Sequence, residues 1–322
     1  MRSRLAILAD PMVVMLVLAT GFAVLLPVAG EARTAAQQVS NVAIFVLFLV
    51  NGMRVPRGDI ARGLANWRFF LPLTLFVFGA MALMGLGLSR LASLTLPPLV
   101  ALGFVFLGTL PSTVQSATSY STLAGGNVAL SVIGAALLNI LGVFVTAPLF
   151  ALLGGGEAVA AGSDVIVKIG LILVLPFAIG QVVQGWTGEW VKSHKSKIVW
   201  LDRGIIALAV YVAISGAVSQ GLLGDLDAES WAWLVATVVL FLALANIAAW
   251  IGARMLGYPL PDRISFLFAG SQKSVAIGAP LAAILFPPTT AGFVIAPLLL
   301  YHLLQLVLAA PLATRLARLA RN

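Results

Sequence analysis

Gly270-Ser271-Gln272-Lys273-Ser274 sits inside an apolar run covering 264–286, and Thr109-Leu110-Pro111-Ser112-Thr113 sits inside another covering 97–124. Each run is long enough to cross a hydrocarbon layer about 30 Å thick, which takes about 20 apolar residues in a helix. Each is cut near its centre by polar and helix-breaking residues. Unwound backbone in lipid leaves N–H and C=O groups unpaired at several kcal/mol each, so a break survives only where protein or a water-filled cavity satisfies those groups. Pro111 or Gly270 alone could simply bend a helix. Two matched breaks, both rich in Ser, Thr and Gln, argue instead for one shared central site.

Eight uninterrupted apolar runs accompany the two broken ones, near 11–29, 38–53, 67–91, 128–153, 165–184, 199–223, 230–256 and 290–313. With each broken run counted as one crossing, the chain crosses ten times, and each break falls on the fourth crossing of a set of five. The breaks are 160 residues apart, at Pro111 and Ser271. Five is odd, so the second set enters the membrane upside down relative to the first. Interrupted helices at matching positions of two inverted halves mark the binding site of secondary transporters. The expected fold is therefore all-α: a polytopic membrane protein of ten transmembrane helices in two inverted five-helix repeats, 1–153 and 165–322. An external linker, 154–164, joins them.

Composition excludes the other classes. The 322 residues are 61% apolar and only 9% charged, with mean hydropathy +1.08, against about 25% charge in a soluble domain. The absence of cysteine removes disulfide frameworks and thiolate chemistry; it also agrees mildly with a bacterial inner membrane. The net charge of +8 is not a nucleic-acid footprint. Fifteen of the nineteen basic residues fall on one side of a ten-crossing chain, spread over six short segments from Arg2 to Arg321. Positive residues stay cytoplasmic, which places both termini inside and makes no nucleic-acid partner expected. The cluster Lys192–Lys197 is first a topology anchor and second a contact for anionic lipid. Arg2 and Arg4 ahead of an apolar run imitate a secretory signal. The run continues to Val28 and meets a weak cleavage site at Gly30-Glu31-Ala32-Arg33, so a retained first helix is expected.

All eleven carboxylates fall at span ends or in loops, which argues against a carboxylate proton relay. Lys273 is the one formal charge near mid-membrane, and such a residue is a functional hypothesis by default. Snorkelling to the interface is disfavoured, since about ten residues precede it in its helix and twelve apolar positions follow. Three roles stay open: a fixed ammonium among freed carbonyls in place of a bound cation, a contact for an anionic substrate, or a proton carrier. The candidate substrate-binding residues are Thr113, Ser116, Lys273, Ser274 and His302. Thr118, Asn127, Ser131, Gln272 and Lys273 are the candidate ion-binding or crossing-point residues. His302 has Gln305 one turn away on the same face; the alternative is a histidine satisfied by packing. No second histidine lies at ligand spacing, no nucleophile–base pair occurs, and Gly154-Gly155-Gly156 has neither the strand nor the lysine of a phosphate loop. Neither a metal site nor an enzyme is expected.

Gly126-Asn127-Val128-Ala129-Leu130-Ser131, directly after a broken helix, resembles a stretch of the bile acid:sodium symporter family, and Gly270-Ser271-Gln272-Lys273-Ser274 resembles that family's second crossing-helix motif. The resemblance implies a panel domain of spans 1, 2, 6 and 7, a core domain of spans 3, 4, 5, 8, 9 and 10, and transport of organic anions, usually with sodium. The family's sodium-ligating Ser-Asn pair falls on Ala117 and Thr118, its next Ser and Thr on Ser131 and Ala135, and its Glu on Phe268. The Asn that follows its Gln becomes Lys273. The Gln-Lys-Ser pattern is closer to the SBF-like branch that holds the seventh human member of solute carrier family 10.

The expected activity is secondary transport of a small organic anion by alternating access, with no cofactor. Sodium is the candidate bound ion, its coupling put in question by the replaced ligands; the coupling ion (sodium, proton or none) is not readable. A sensor or regulator that kept the fold and a cation/proton antiporter remain as alternatives. Substrate and oligomeric state are not readable.

Overall fold

The computed structural model describes residues 10–54, 58, 65–154, 170–221 and 227–320. The linker 154–164, apart from Gly154, lies outside the described residues, as do Arg2, Arg4 and Lys168. The described chain is all-helical. Its elements are α1 (Pro11–Leu25), α2 (Gly30–Arg54), α3 (Trp67–Leu75), α4 (Met81–Ala92), α5 (Pro98–Thr109), α6 (Gln115–Leu123), α7 (Val128–Leu153), α8 (Leu175–Ser193), α9 (Lys195–Ser219), α10 (Ala228–Met255), α11 (Leu260–Ser271), α12 (Val275–Leu285) and α13 (Pro288–Leu319). A π-turn, Phe76–Ala80, joins α3 and α4 into one rod, and a second, Gly170–Val174, leads into α8. Seven of the described helical rods are long and apolar enough to cross a membrane, so the protein is an integral, polytopic membrane protein.

The sequence sets the helix starts. Proline is tolerated in the first turn, where its missing N–H has no intrahelical acceptor, and α1, α5, α11 and α13 each begin on or next to one. Side-chain caps serve three helices. Asp10 accepts the Met12 N–H at 2.7 Å, Asn127 the Leu130 N–H at 3.3 Å, and Asp227 the Ser230 N–H at 2.8 Å. The first helix is shorter than the apolar run suggests, ending at Leu25 rather than near 29. Pro27 disfavours helical backbone at the residue before it. The second helix is longer than expected, starting at Gly30.

Membrane helices associate through close backbone contact at small residues. A Cβ at Gly52 would lie 2.3 Å from the Phe177 carbonyl oxygen, and one at Gly180 would lie 2.2 Å from that of Leu49, so α2 and α8 touch backbone to backbone. Elsewhere α1 packs on α9, α4 on α5, α10 on α11, and α13 on both α5 and α9. Phe106, Phe150 and Phe286 form an edge-to-face trio with centroids 5.4–5.8 Å apart where α5, α7 and the end of α12 meet. Phe69, Tyr258 and Phe266 cluster between α3 and the start of α11, with Phe69 and Phe266 edge-to-face at 6.0 Å and Tyr258 tilted against both.

Candidate functional site

Both expected breaks are present. The chain is non-helical over 110–114, between α5 and α6, and over 272–274, between α11 and α12. The two breaks lie against each other: the Ser274 N–H donates to the Pro111 carbonyl at 3.0 Å.

A helix leaves its last four carbonyls without intrahelical donors, and each one freed near the first break has found a partner. The Thr109 hydroxyl donates to the Phe106 carbonyl at 2.8 Å, and the Leu110 N–H reaches that of Leu107 at 3.4 Å. Thr146 of α7 donates to Thr109 O at 3.0 Å, and Asn139 of α7 donates to Ser112 O at 2.9 Å. The carbonyls of Gly108 and Leu110 receive the Lys273 ammonium, at 2.9 and 2.6 Å. Its third bond, at 3.2 Å, goes to the carbonyl of Val77. Val77 lies in the π-turn Phe76–Ala80, where the shifted bonding pattern disturbs the regular carbonyl ladder. Lys273 is fully buried, with 0% of its surface exposed. All three ammonium donors are used, each by a carbonyl from the first half of the chain. Close approach of α4 to α5 is part of this cage, since a Cβ at Gly108 would lie 2.7 Å from Met81 O.

The second break is satisfied differently. Gln305 of α13 takes the Lys273 N–H on Oε1 at 2.8 Å and donates from Nε2 to the Lys273 carbonyl at 3.0 Å, replacing the backbone partners that a continuous helix would supply. The same Nε2 meets His302 Nδ1 at 2.8 Å, so that ring nitrogen is the acceptor. The Tyr301 hydroxyl donates to the Ser271 carbonyl. Gln272 extends to the other break: its Oε1 accepts the hydroxyls of Thr113, at 3.0 Å, and Ser116. The Thr113 hydroxyl oxygen also accepts the Ala117 N–H of the first turn of α6 at 3.3 Å.

Thr113, Ser116, Gln272 and Lys273 thus meet at the crossing, with Ser274 tied there through its backbone and His302 one hydrogen bond behind. Thr118 is on α6, and its buried hydroxyl has no hydrogen-bond partner. Asn127 and Ser131 belong to another set. Ser131 donates to Ser121 at 2.7 Å, Ser121 and Ser265 share a bond of 3.1 Å, and Asn127 donates to Asp262 at 2.9 Å while its carbonyl accepts Ser265 at 2.9 Å. These bonds join the ends of α6, α7 and α11. Sequence reasoning did not find the Val77 carbonyl, the anchoring roles of Tyr301 and Gln305, or Asn246, which accepts the Ser271 hydroxyl at 3.2 Å. Pro72, four residues before the π-turn, is the one local hint of irregularity in that rod. Among the described residues no group of three or more His, Cys, Asp or Glu could hold a metal.

A family model, that of the SBF-like CPA transporter family, matches residues 10–318. An uncharacterised protein of Pseudomonas aeruginosa is 38% identical over 317 residues, covering 98% of this chain and 95% of its own. YfeH of Escherichia coli, whose name proposes a symporter, is 32% identical over 309 residues, covering 96% and 93%. The mouse protein named sodium/bile acid cotransporter 7 is 24% identical over 278 residues, covering 85% and 82%.

Proposed function

The chain belongs to the SBF-like CPA transporter family, a family of transporters and not of enzymes, and from that premise we propose that it moves a small organic anion across a bacterial inner membrane by alternating access. Lys273 holds permanently the position that a mobile cation would occupy. The observation that carries this reading is the ammonium itself: fully buried, with all three donors spent on the carbonyls of Val77, Gly108 and Leu110. Of the three roles open for Lys273, this geometry favours the fixed cation. An ammonium so enclosed has no donor left for a substrate.

The anion is then received by the first turn of α6, where helix N–H groups lack intrahelical partners and the helix dipole favours negative charge, together with Thr113, Ser116 and Ser274. Val114 and Gln115 open this turn to the outside of the protein. The ten-crossing, inverted-repeat arrangement fits the packing, in which α2 meets α8 and α1 meets α9, while α4–α5 and α10–α11 form like pairs. Cytoplasmic termini fit the clustering of basic helix ends: Arg54 of α2 pairs with Asp202 of α9, and Tyr258, before α11, donates to Arg68 O at 2.6 Å. In this arrangement spans 3, 4, 5, 8, 9 and 10 form a core that rocks against the panel of spans 1, 2, 6 and 7.

The test is uptake of a panel of labelled mono- and dicarboxylates into proteoliposomes, with sodium or potassium as the only monovalent cation. Uptake of one of them, equal in the two salts, is expected. Uptake that requires sodium would remove the fixed-cation reading. A carboxylate that raises the melting temperature but is never accumulated would favour a sensor.

A further inference from the structure

An apolar crevice lies on the α11 side of the crossing. Residues of α10, α13 and the end of α11 line it, and its volume is about 270 Å3, just below the ~300–1,000 Å3 common for small-molecule sites. Its walls are apolar, with Leu242, Phe268 and Leu312 among them, and its floor is Asn246, Ser271, Gln272 and Gln305. At its rim Val239, Ile247 and Leu308 are 41%, 56% and 46% exposed, an apolar surface of the kind that faces lipid in a membrane helix.

The hydrogen bonds of the floor leave one amide nitrogen with no partner. Asn246 donates to Leu242 O at 2.7 Å and accepts Ser271, while Gln305 is occupied by the Lys273 backbone and His302. Gln272 uses its oxygen for Thr113 and Ser116. Its Nε2 has no partner, although the residue is only 2% exposed. Buried amide groups are rarely left so. No full charge faces the crevice, because the Lys273 ammonium is turned to the first-half carbonyls. A carboxylate or an ammonium entering it would be desolvated without a counter-charge.

We propose that the crevice between α10 and α13 is a binding site for an uncharged amphiphile that arrives from the lipid phase and offers an acceptor oxygen, a hydroxyl, ester or amide carbonyl, to Gln272 Nε2. Its occupant acts on the crossing directly, since Gln272 ties the second break to α6 and Gln305 holds the backbone of Lys273. The site stands whether or not the protein transports an anion.

The test uses the full chain in phosphatidylcholine nanodiscs and two photoreactive probes of equal length, a diazirine-bearing long-chain alcohol and the corresponding alkyl sulfonate, with labelled peptides mapped by mass spectrometry. The alcohol is expected to label 239–247 and 305–312 at least fivefold above other lipid-facing segments. The sulfonate is expected to show no such preference. Ala243→Trp, placed at the exposed rim so that the core is untouched, should reduce the alcohol labelling at least fivefold. Gln272→Leu should weaken it without moving it elsewhere. Even labelling over all lipid-facing helices, undiminished labelling in Ala243→Trp, or equal labelling by the sulfonate would overturn the proposal.

Discussion

The second halves of the two interrupted helices, α6 and α12, follow the two breaks but live in different surroundings. Every residue of α12 except Ala276 is buried, whereas α6 exposes Gln115, Ser119, Thr122 and Leu123 along one face. α9 covers α12; among the described residues α2 gives α6 no comparable cover. The closure beside α12 is tight, made by α9 against the start of α13 and by Gln37 of α2. A Cβ at Gly216 would lie 1.6 Å from Pro288 O, one at Gly292 would lie 2.5 Å from Ala213 O, and Gln37 donates to Ala283 O at 3.2 Å. In the proposed inverted arrangement α6 and α12 are mates, and their unequal burial is what one state of an alternating-access carrier would present: one end of the crossing closed, the other accessible. The charge is unequal as well, since the ammonium serves only the carbonyls of the first half.

The largest expected effect comes from removing that charge. Lys273→Met takes the ammonium away from three carbonyls; hydrogen bonds to charged groups are worth about 1.5–3 kcal/mol each, and a buried acceptor left orphaned adds to the loss. Part of it is offset because no charge has to be buried. Uptake should disappear and the melting temperature should fall by several degrees. Lys273→Arg should not restore either, because a planar guanidinium does not match three converging carbonyls. Unchanged uptake and melting in the Met variant would dismiss the lysine as the pin of the crossing.

Next in size is the seal. Gly216→Leu cannot close against Pro288, so the α12 end should stay open and turnover should fall at least tenfold. The chain has no cysteine, so single cysteines report access cleanly. With a membrane-impermeant maleimide, Ala283→Cys should be unreactive in the parent protein and reactive once Gly216→Leu is added. Gln115→Cys should react readily in the parent and less in the double variant. If neither cysteine responds to Gly216→Leu, the difference between α6 and α12 is not a difference of state.

A smaller effect separates two residues of one helix. Gln305→Leu removes both substitutes for backbone bonds at Lys273, at about 1–3 kcal/mol, and should lower stability and uptake together. His302→Phe removes only the acceptor behind Gln305 and should cost about 1 kcal/mol, within the range of a single hydrogen bond. If uptake is lost in His302→Phe while stability holds, the histidine contacts substrate instead of backing Gln305.

Much of this was readable in the chain. Pro111 and the Gly270-Ser271-Gln272 run announce the breaks, and Lys273 announces itself as a charge with no exit. The carbonyls that bind it were not readable, because a backbone oxygen has no residue type; Gly108, Leu110 and Val77 become ligands only through a helix end and a π-turn. Asn127 and Ser131 count as ion-binding or crossing-point candidates because they open the helix after the break, in the Gly126–Ser131 stretch that carries the family resemblance. A turn after Leu123 carries them instead to the far end of α6, where they meet Ser121, Ser265 and Asp262.

That regrouping gives the smallest effect and the finest test of the contrast between the two ends of α6. Asn127 caps α7, ties it to Asp262 of α11 and receives Ser265 on its carbonyl. Asn127→Ala should cost about 1 kcal/mol, the usual loss for an N-cap. With the anion site proposed at the other end of α6, the half-saturating concentration for carboxylate uptake and the equal uptake expected in sodium and potassium should both be retained. Thr113→Ala, at the crossing end, removes the bonds to Gln272 and Ala117 and should cost at least as much stability, but it should also raise the half-saturating concentration. Were Asn127→Ala to shift that concentration as Thr113→Ala does, the two ends would form one site, and the ligand positions inferred from the sequence would be correct after all.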